Sequence, residues 1–214
     1  NNVETYKKIF YEDEADINSI PSNTRFLVSI SKSSYACGGA STDNGDVEDL
    51  YIVEFKDGKF LEPQRLPCPI NTEFNESGGT FSPDGRKIYF SSNREGGHGG
   101  YDIYESEDLG GGKWSYPRNL GTTINTEHDE KSPYLLNDGV TLYFSSNAFN
   151  ENKAFDVLES YLEYGGFWEE PFRLESPINT ERDDLFYRLS PDERRAVYLS
   201  SGPDGQGIYE LVFF

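Results

Sequence analysis

Four carboxylates occupy one repeated position in the chain: Glu14, Glu76, Glu130 and Asp184. If the units that carry them surround a common axis, four like charges meet there and must be spread apart, protonated or neutralised. A hard cation such as calcium, which takes oxygen ligands, is one group that would neutralise them. The competing reading is that each carboxylate caps its own connector by accepting backbone N–H groups, a structural use typical of residues that recur in every repeat. Two histidines are the other candidate ligands, His98 in the glycine-rich segment Glu95–Gly100 and His128. No triad of His, Cys or acid ligands around them has the spacing of a zinc site, so solvated loop histidines are the simpler reading. The segment Thr42–Asp49 is rich in oxygen donors, but its glycine arrives too early for an EF-hand, which leaves a solvated turn.

Nucleophilic and phosphoryl chemistry find no support. There is no Gly-x-Ser-x-Gly elbow, and Gly96–Gly100 lies between strand-like segments instead of before a helix, so it reads as a flexible hairpin loop. A glycosidase needs two carboxylates in unlike environments, whereas these acids recur in like positions, so the expectation is a protein without catalysis. With 38 acidic against 19 basic residues the net charge is −19, which excludes a grip on nucleic-acid phosphates. Apolar runs reach only four residues, as in Leu211–Phe214, so no transmembrane helix is expected. The opening Asn-Asn-Val-Glu-Thr has neither a basic patch nor an apolar run, and the chain contains no methionine, so the expectation is a processed chain without its signal peptide or an excised fragment.

The elements that position these residues are set by a repeat of 54 residues. Pro69-Ile70-Asn71-Thr72-Glu73 returns as Thr123-Ile124-Asn125-Thr126-Glu127 and as Pro177-Ile178-Asn179-Thr180-Glu181. Phe60, Trp114 and Trp168 keep the same step, as do Leu66, Leu120 and Leu174. Within residues 75–128, strand-like runs at Thr80–Ser82, Lys87–Ser91, Tyr101–Glu105 and Trp114–Leu120 alternate with turn signals such as Ser82-Pro83-Asp84-Gly85. No stretch has helical apolar spacing. Four antiparallel strands per unit with aromatic residues in fixed columns predict an all-β fold, a β-propeller of four blades of four strands. The repeats run over 11–74, 75–128, 129–182 and 183–214, within a single domain. The last is one strand short, and the N-terminal strand, about Val3 to Phe10, is expected to complete it and close the ring.

In such a ring the turns at Pro83-Asp84 and Leu109-Gly110-Gly111 lie on one face, and the loops after Asn93 together with the Ile-Asn-Thr connectors lie on the other. The second face carries Arg94, His98, Tyr101, His128 and Arg182, a candidate binding surface because Arg and Tyr are favoured at interaction hot spots. Trp114 and Trp168 hold repeat columns, so blade packing is their expected use, ahead of sugar stacking. Cys37 and Cys68 fall on one side of the first blade, and a disulfide between them is expected to staple the long loop Ser31–Glu48 in an oxidising compartment. Gly207 replaces the aspartate found at Asp49, Asp102 and Asp156, so that polar contact should be missing or replaced in the last blade.

Phe81-Ser82-Pro83-Asp84-Gly85-Arg86-Lys87-Ile88-Tyr89-Phe90-Ser91-Ser92-Asn93-Arg94, followed by Gly99-Gly100-Tyr101-Asp102-Ile103-Tyr104, resembles the TolB-type, WD-like propeller repeat. Trp114-Ser115-Tyr116-Pro117-Arg118-Asn119-Leu120-Gly121 leading into Ile124-Asn125-Thr126 is similar to the variant found in OmpA-like, peptidoglycan-associated outer-membrane proteins, some of them in the type IX secretion and gliding apparatus. That resemblance implies a periplasmic or extracellular scaffold of the Gram-negative envelope, with protein partners that include flanking domains of a larger chain. The chain itself has no tetratricopeptide or OmpA-like segment, so peptidoglycan binding does not follow. The alternative is a glycan-binding or glycan-hydrolysing propeller using the axial carboxylates.

Overall fold

The computed structural model describes residues 3–9, 23–35, 41–202 and 205–213, with side chains for 23–31, 47–201 and 206–213. The described residues form strands and turns, and no helix among them could cross a membrane. The chain begins with β1 (Val3–Ile9) and then builds four sheets that radiate as the blades of a β-propeller. Blade I holds β2 (Thr24–Tyr35), β3 (Ser41–Lys56), β4 (Lys59–Phe60) and β5 (Gln64–Arg65). Residues 10–22, where the repeat places Glu14 and the start of this blade, lie outside the described residues.

Blade II contains β6 (Glu76–Phe81), β7 (Lys87–Ser92), β8 (Asp102–Gly110), β9 (Lys113–Trp114) and β10 (Arg118–Asn119). Blade III contains β11 (Glu130–Leu135), β12 (Thr141–Ser146), β13 (Asp156–Tyr161) and β14 (Phe172–Arg173). Blade IV contains β15 (Asp184–Leu189), β16 (Arg195–Gly202) and β17 (Gly205–Phe213), and its outer strand is β1, paired antiparallel from Val3 with Phe213 to Ile9 with Ile208. The first strand of the chain therefore completes its last blade.

Several boundaries differ from the sequence reading: the run Tyr101–Glu105 extends to Gly110, and the run Trp114–Leu120 splits into the short strands β9 and β10. The inner strand begins at Glu76, well before Thr80, because Ser77-Gly78-Gly79 carries no alternating apolar signal. In blade I the strands run on into Ser31–Glu48, with Ser31 opposite Glu48 and Tyr35 opposite Ser41, a polar hairpin that hydrophobic patterning cannot detect. The inner strands of blades II, III and IV also bulge at the same repeat position, where Gly78, Ser132 and Phe186 have φ of 49°, 56° and 56°.

The cores lie between blades. Leu50, Ile70, Phe90 and Trp114 join blades I and II. Ile103, Leu135, Phe144 and Trp168 join II and III, while Val157, Tyr187, Tyr198 and Leu211 join III and IV. Both tryptophans are buried, and Trp168 meets Tyr89 of the preceding blade edge-on at 6.4 Å.

Candidate functional site

The connector asparagines explain why the Ile-Asn-Thr unit recurs. Asn125 accepts from Ile103 N (2.7 Å) and donates to Ile103 O (2.9 Å), acting as a side-chain substitute for a strand partner at the edge of β8. Asn71 does the same for Leu50 and Asn179 for Val157, and all three are buried. The following threonine links the connector to the acid column. Thr126 donates from N (2.8 Å) and Oγ1 (2.7 Å) to Glu130, which also accepts from Ser146 Oγ at 2.7 Å. Glu76 repeats this with Thr72 and Ser92, and Asp184 with Thr180.

Glu76, Glu130 and Asp184 are fully buried, each within its own blade's cap. Burial pushes all three carboxyls above the usual range, against the opposing pull of the threonine hydrogen bonds. The acidic neighbours that raise Glu130 and Asp184 further are Asp102 and Asp156, one in each blade, and not other members of the ring. These carboxylates fold connectors, and among the described residues no three His, Cys, Asp or Glu side chains gather to hold a metal ion. Glu14 lies outside the described residues. In blade IV the aspartate is one methylene shorter than glutamate, and it takes both threonine bonds on Oδ2. The Gly207 column explains a second polar pair: Arg65 and Arg173 bind Asp49 and Asp156 through two nitrogens at 2.7–3.0 Å.

The residues of the expected binding face differ in exposure and in what they touch. Arg94 is not an exposed anchor: its guanidinium donates to Ile70 O (2.7 Å) and Glu76 (3.2 Å), and lies over the Phe90 and Tyr104 rings. Tyr101 is half-buried with the Lys131 ammonium 4.0 Å from its ring centroid. Lys153 donates to His128 Nε2 at 2.6 Å, which puts the ring hydrogen on Nδ1, a buried atom without a partner. Arg182 is exposed, with Nη1 donating to Ser201 O, and His98 is exposed.

The glycine-rich segment is a pinned loop instead of a flexible one. Asp102 accepts from His98 N (2.5 Å) and Gly99 N (3.0 Å), and Gly100 N donates to His128 O. A Cβ on Gly99 would collide with the backbone carbonyls of His128 and Thr126, so the loop closes on the next connector only with glycine there. Cys68 is disulfide-bonded, and Cys37, the chain's other cysteine, lies outside the described residues, as do the side chains of Thr42–Asp46.

Sequence reasoning missed the surface that stands out most. At the outer edge of blade III, Tyr161, Tyr164, Phe167 and Phe172 are all exposed, Tyr164 completely. The hairpin is fixed by the Leu162–Trp168 bridge, by Glu163 N donating to Phe167 O, and by Ser160 Oγ donating to Glu169 O at 2.6 Å. Because Leu162 and Trp168 turn inward, strand alternation sends Tyr161, Glu163, Phe167 and Glu169 outward together. Behind them Glu159 Oε1 accepts from the hydroxyls of Tyr143 (2.9 Å) and Tyr161 (2.8 Å), the second of which is pushed up to about 12, chiefly by that hydrogen bond. The available signal was departure from the repeat: position 164 is glycine in blade II, at Gly110.

Compared with known proteins, the chain matches no family model, and no curated protein matches its sequence.

Proposed function

We propose that this chain is a non-enzymatic, protein-binding propeller that serves as a scaffold in the bacterial cell envelope. The observation that carries this reading is the solvent-facing aromatic hairpin of blade III, since aromatic residues held out of a blade that buries its other aromatic columns are characteristic of contact surfaces. Its backbone is fixed before any partner arrives, so little ordering cost attaches to contact. The acids that would have suggested catalysis are spent on connector caps.

The placement in a periplasmic or extracellular compartment of a Gram-negative cell rests on the TolB-like residues Phe81–Arg94 and Trp114–Gly121 and on the disulfide at Cys68, which suits an oxidising environment. The likeness to OmpA-linked propellers of the type IX secretion and gliding apparatus belongs to the same proposal. A second reading, glycan binding, has one observation in its favour, since exposed rings beside carboxylates also suit sugar stacking. Cross-linking in native envelopes followed by identification of captured proteins, alongside a glycan array, separates the two. Reproducible protein cross-links with a silent array support the scaffold, and a glycan hit without protein cross-links overturns it.

A further inference from the structure

The outer edges of blades II and III align in sequence residue by residue at a step of 54, yet their charge differs. In blade II the buried carboxylate of Glu105 is neutralised by Arg118, at 2.7 Å and 3.1 Å, and by Lys87 at 3.5 Å. The equivalent acid in blade III is Glu159, and the residues equivalent to Arg118 and Lys87 are Phe172 and Thr141. Arg86 and Lys113 are likewise replaced by Val140 and Phe167, both exposed. Residues 157–172 contain no Lys, Arg or His and four glutamates, Glu159, Glu163, Glu169 and Glu170.

Among the described residues, Glu159 has two tyrosine hydroxyls on Oε1 and no cation, and its Oε2 accepts no hydrogen bond. A carboxylate in a partly desolvated site binds a guanidinium more strongly than one in water. The rings around it supply the rest of the preference, since Tyr161 and Phe172 lie tilted against each other with centroids 6.1 Å apart and are exposed, and aromatic faces attract cations. Blade II thus contains, within the same molecule, a template for the group that blade III lacks.

We infer that the outer hairpin of blade III is a docking site for an extended cationic segment of a partner protein, one of whose arginines sits beside Glu159 over Phe172, as Arg118 sits beside Glu105. The inference rests on the scaffold reading and specifies the chemistry of its partner. Glu163 and Glu169, alternating with Phe167 and Tyr161 on the same outward face, would take further basic side chains along the segment.

The test is fluorescence anisotropy with a labelled (Arg-Gly)4 peptide at about 150 mM salt, where long-range attraction to a chain of charge −19 is largely screened. Phe172→Arg, which installs the cation of blade II, and Glu159→Gln, which keeps the shape, should each weaken binding about tenfold. Tyr116→Arg adds the same charge at an exposed site of blade II and should change it less than about twofold. No measurable binding by the native chain, equal losses for Phe172→Arg and Tyr116→Arg, or binding of a neutral oligosaccharide at this hairpin in place of the peptide overturns the inference. If Phe172→Arg still forms every protein cross-link of the native chain, the docking site fails while the scaffold reading stands.

Discussion

Blades II and III have nearly the same backbone and unlike surfaces. Their hairpins are tied by corresponding bonds: Ser106 Oγ to Ser115 O and Ser160 Oγ to Glu169 O, Ser115 N to Glu107 O and Glu169 N to Tyr161 O. On that common frame blade II presents Glu107, Leu109, Lys113 and Arg118, and blade III presents Tyr161, Glu163, Phe167 and Phe172. The frame depends on residues that recur, while the surface is decided by residues that do not. Function is therefore better sought where the repeat fails than in its most regular columns.

The sharpest way to break the comparison is to remove the shared frame in each blade separately. Asn125→Ala strips the edge of blade II and Asn179→Ala that of blade III, each leaving a buried N–H unpaired and removing one of the two donors to the same residue's C=O, which keeps its bond from Leu120 N or Leu174 N. The unsatisfied N–H costs about 1–3 kcal/mol and the further lost hydrogen bond about 1 kcal/mol, so each variant should lose about 2–4 kcal/mol in chemical denaturation. If the frames are equivalent the two losses agree within about 1 kcal/mol. A negligible loss for either would show that the asparagine does not substitute for a strand there.

A smaller effect separates the two acid caps. In blade II Arg94 offsets part of the burial of Glu76, whereas blade III has Ala148 at that position and Glu130 has no cation in its cap. A carboxyl raised in the folded state penalises the ionised form, so that penalty is fully present above the folded value. It is relieved as pH falls through the folded value, until near 4.5 the unfolded carboxyl is protonated as well. Asp84 and Asp192 act oppositely, because the Ser82 and Ser190 hydroxyls hold them low and their stabilisation disappears as pH falls below 3.8. The melting temperature should rise as pH falls from neutrality towards 4.5 and drop in stronger acid. Glu130→Gln should flatten the rise more than Glu76→Gln, and an unchanged slope in both would mean that the caps do not set it.

The frame was legible in the sequence because its residues have to be the same each time. Asn71, Asn125 and Asn179 satisfy backbone groups that exist in every blade, and the step between them gave the blade count and the closing role of β1. The candidate site was less legible. Arg94 was read as exposed because its loop faces outward, but its guanidinium turns back to the carbonyls of Pro69 and Ile70, a contact across blades that no local pattern encodes. The exposed rings of blade III were hidden for the opposite reason, since aromatics in a propeller sequence are presumed to fill columns, and only the cross-strand bridge between Leu162 and Trp168 fixes which ones turn out.

Next in size is the ion pair that distinguishes the hairpins. Arg118 is more than half exposed and Glu105 is largely buried, so the pair is worth about 0.5–1 kcal/mol after solvent screening. Arg118→Ala should cost about that much in blade II. Phe172→Ala at the equivalent site should cost less than about 0.5 kcal/mol, because an exposed ring contributes little to the fold. A large loss for Phe172→Ala would make it a structural residue and remove it from the contact surface.

A last test concerns the bulges on the inner strands. Gly78 in blade II and Ser132 in blade III both occupy left-handed backbone, at φ of 49° and 56°, where a Cβ is disfavoured and glycine is not. A Cβ on Gly78 would also stand 3.3 Å from Ser132 Cα and 3.6 Å from the Phe186 ring, so the two bulges are packed against each other and cannot both carry side chains without adjustment. Gly78→Ala should therefore cost about 1–2 kcal/mol, from strain and crowding together. Ser132→Gly removes strain but gives the unfolded chain more freedom, and the two nearly cancel, so stability should shift by less than about 0.5 kcal/mol. If Gly78→Ala were equally silent, the bulge of blade II would have room that its packing against blade III denies, and the two inner strands would not be in register.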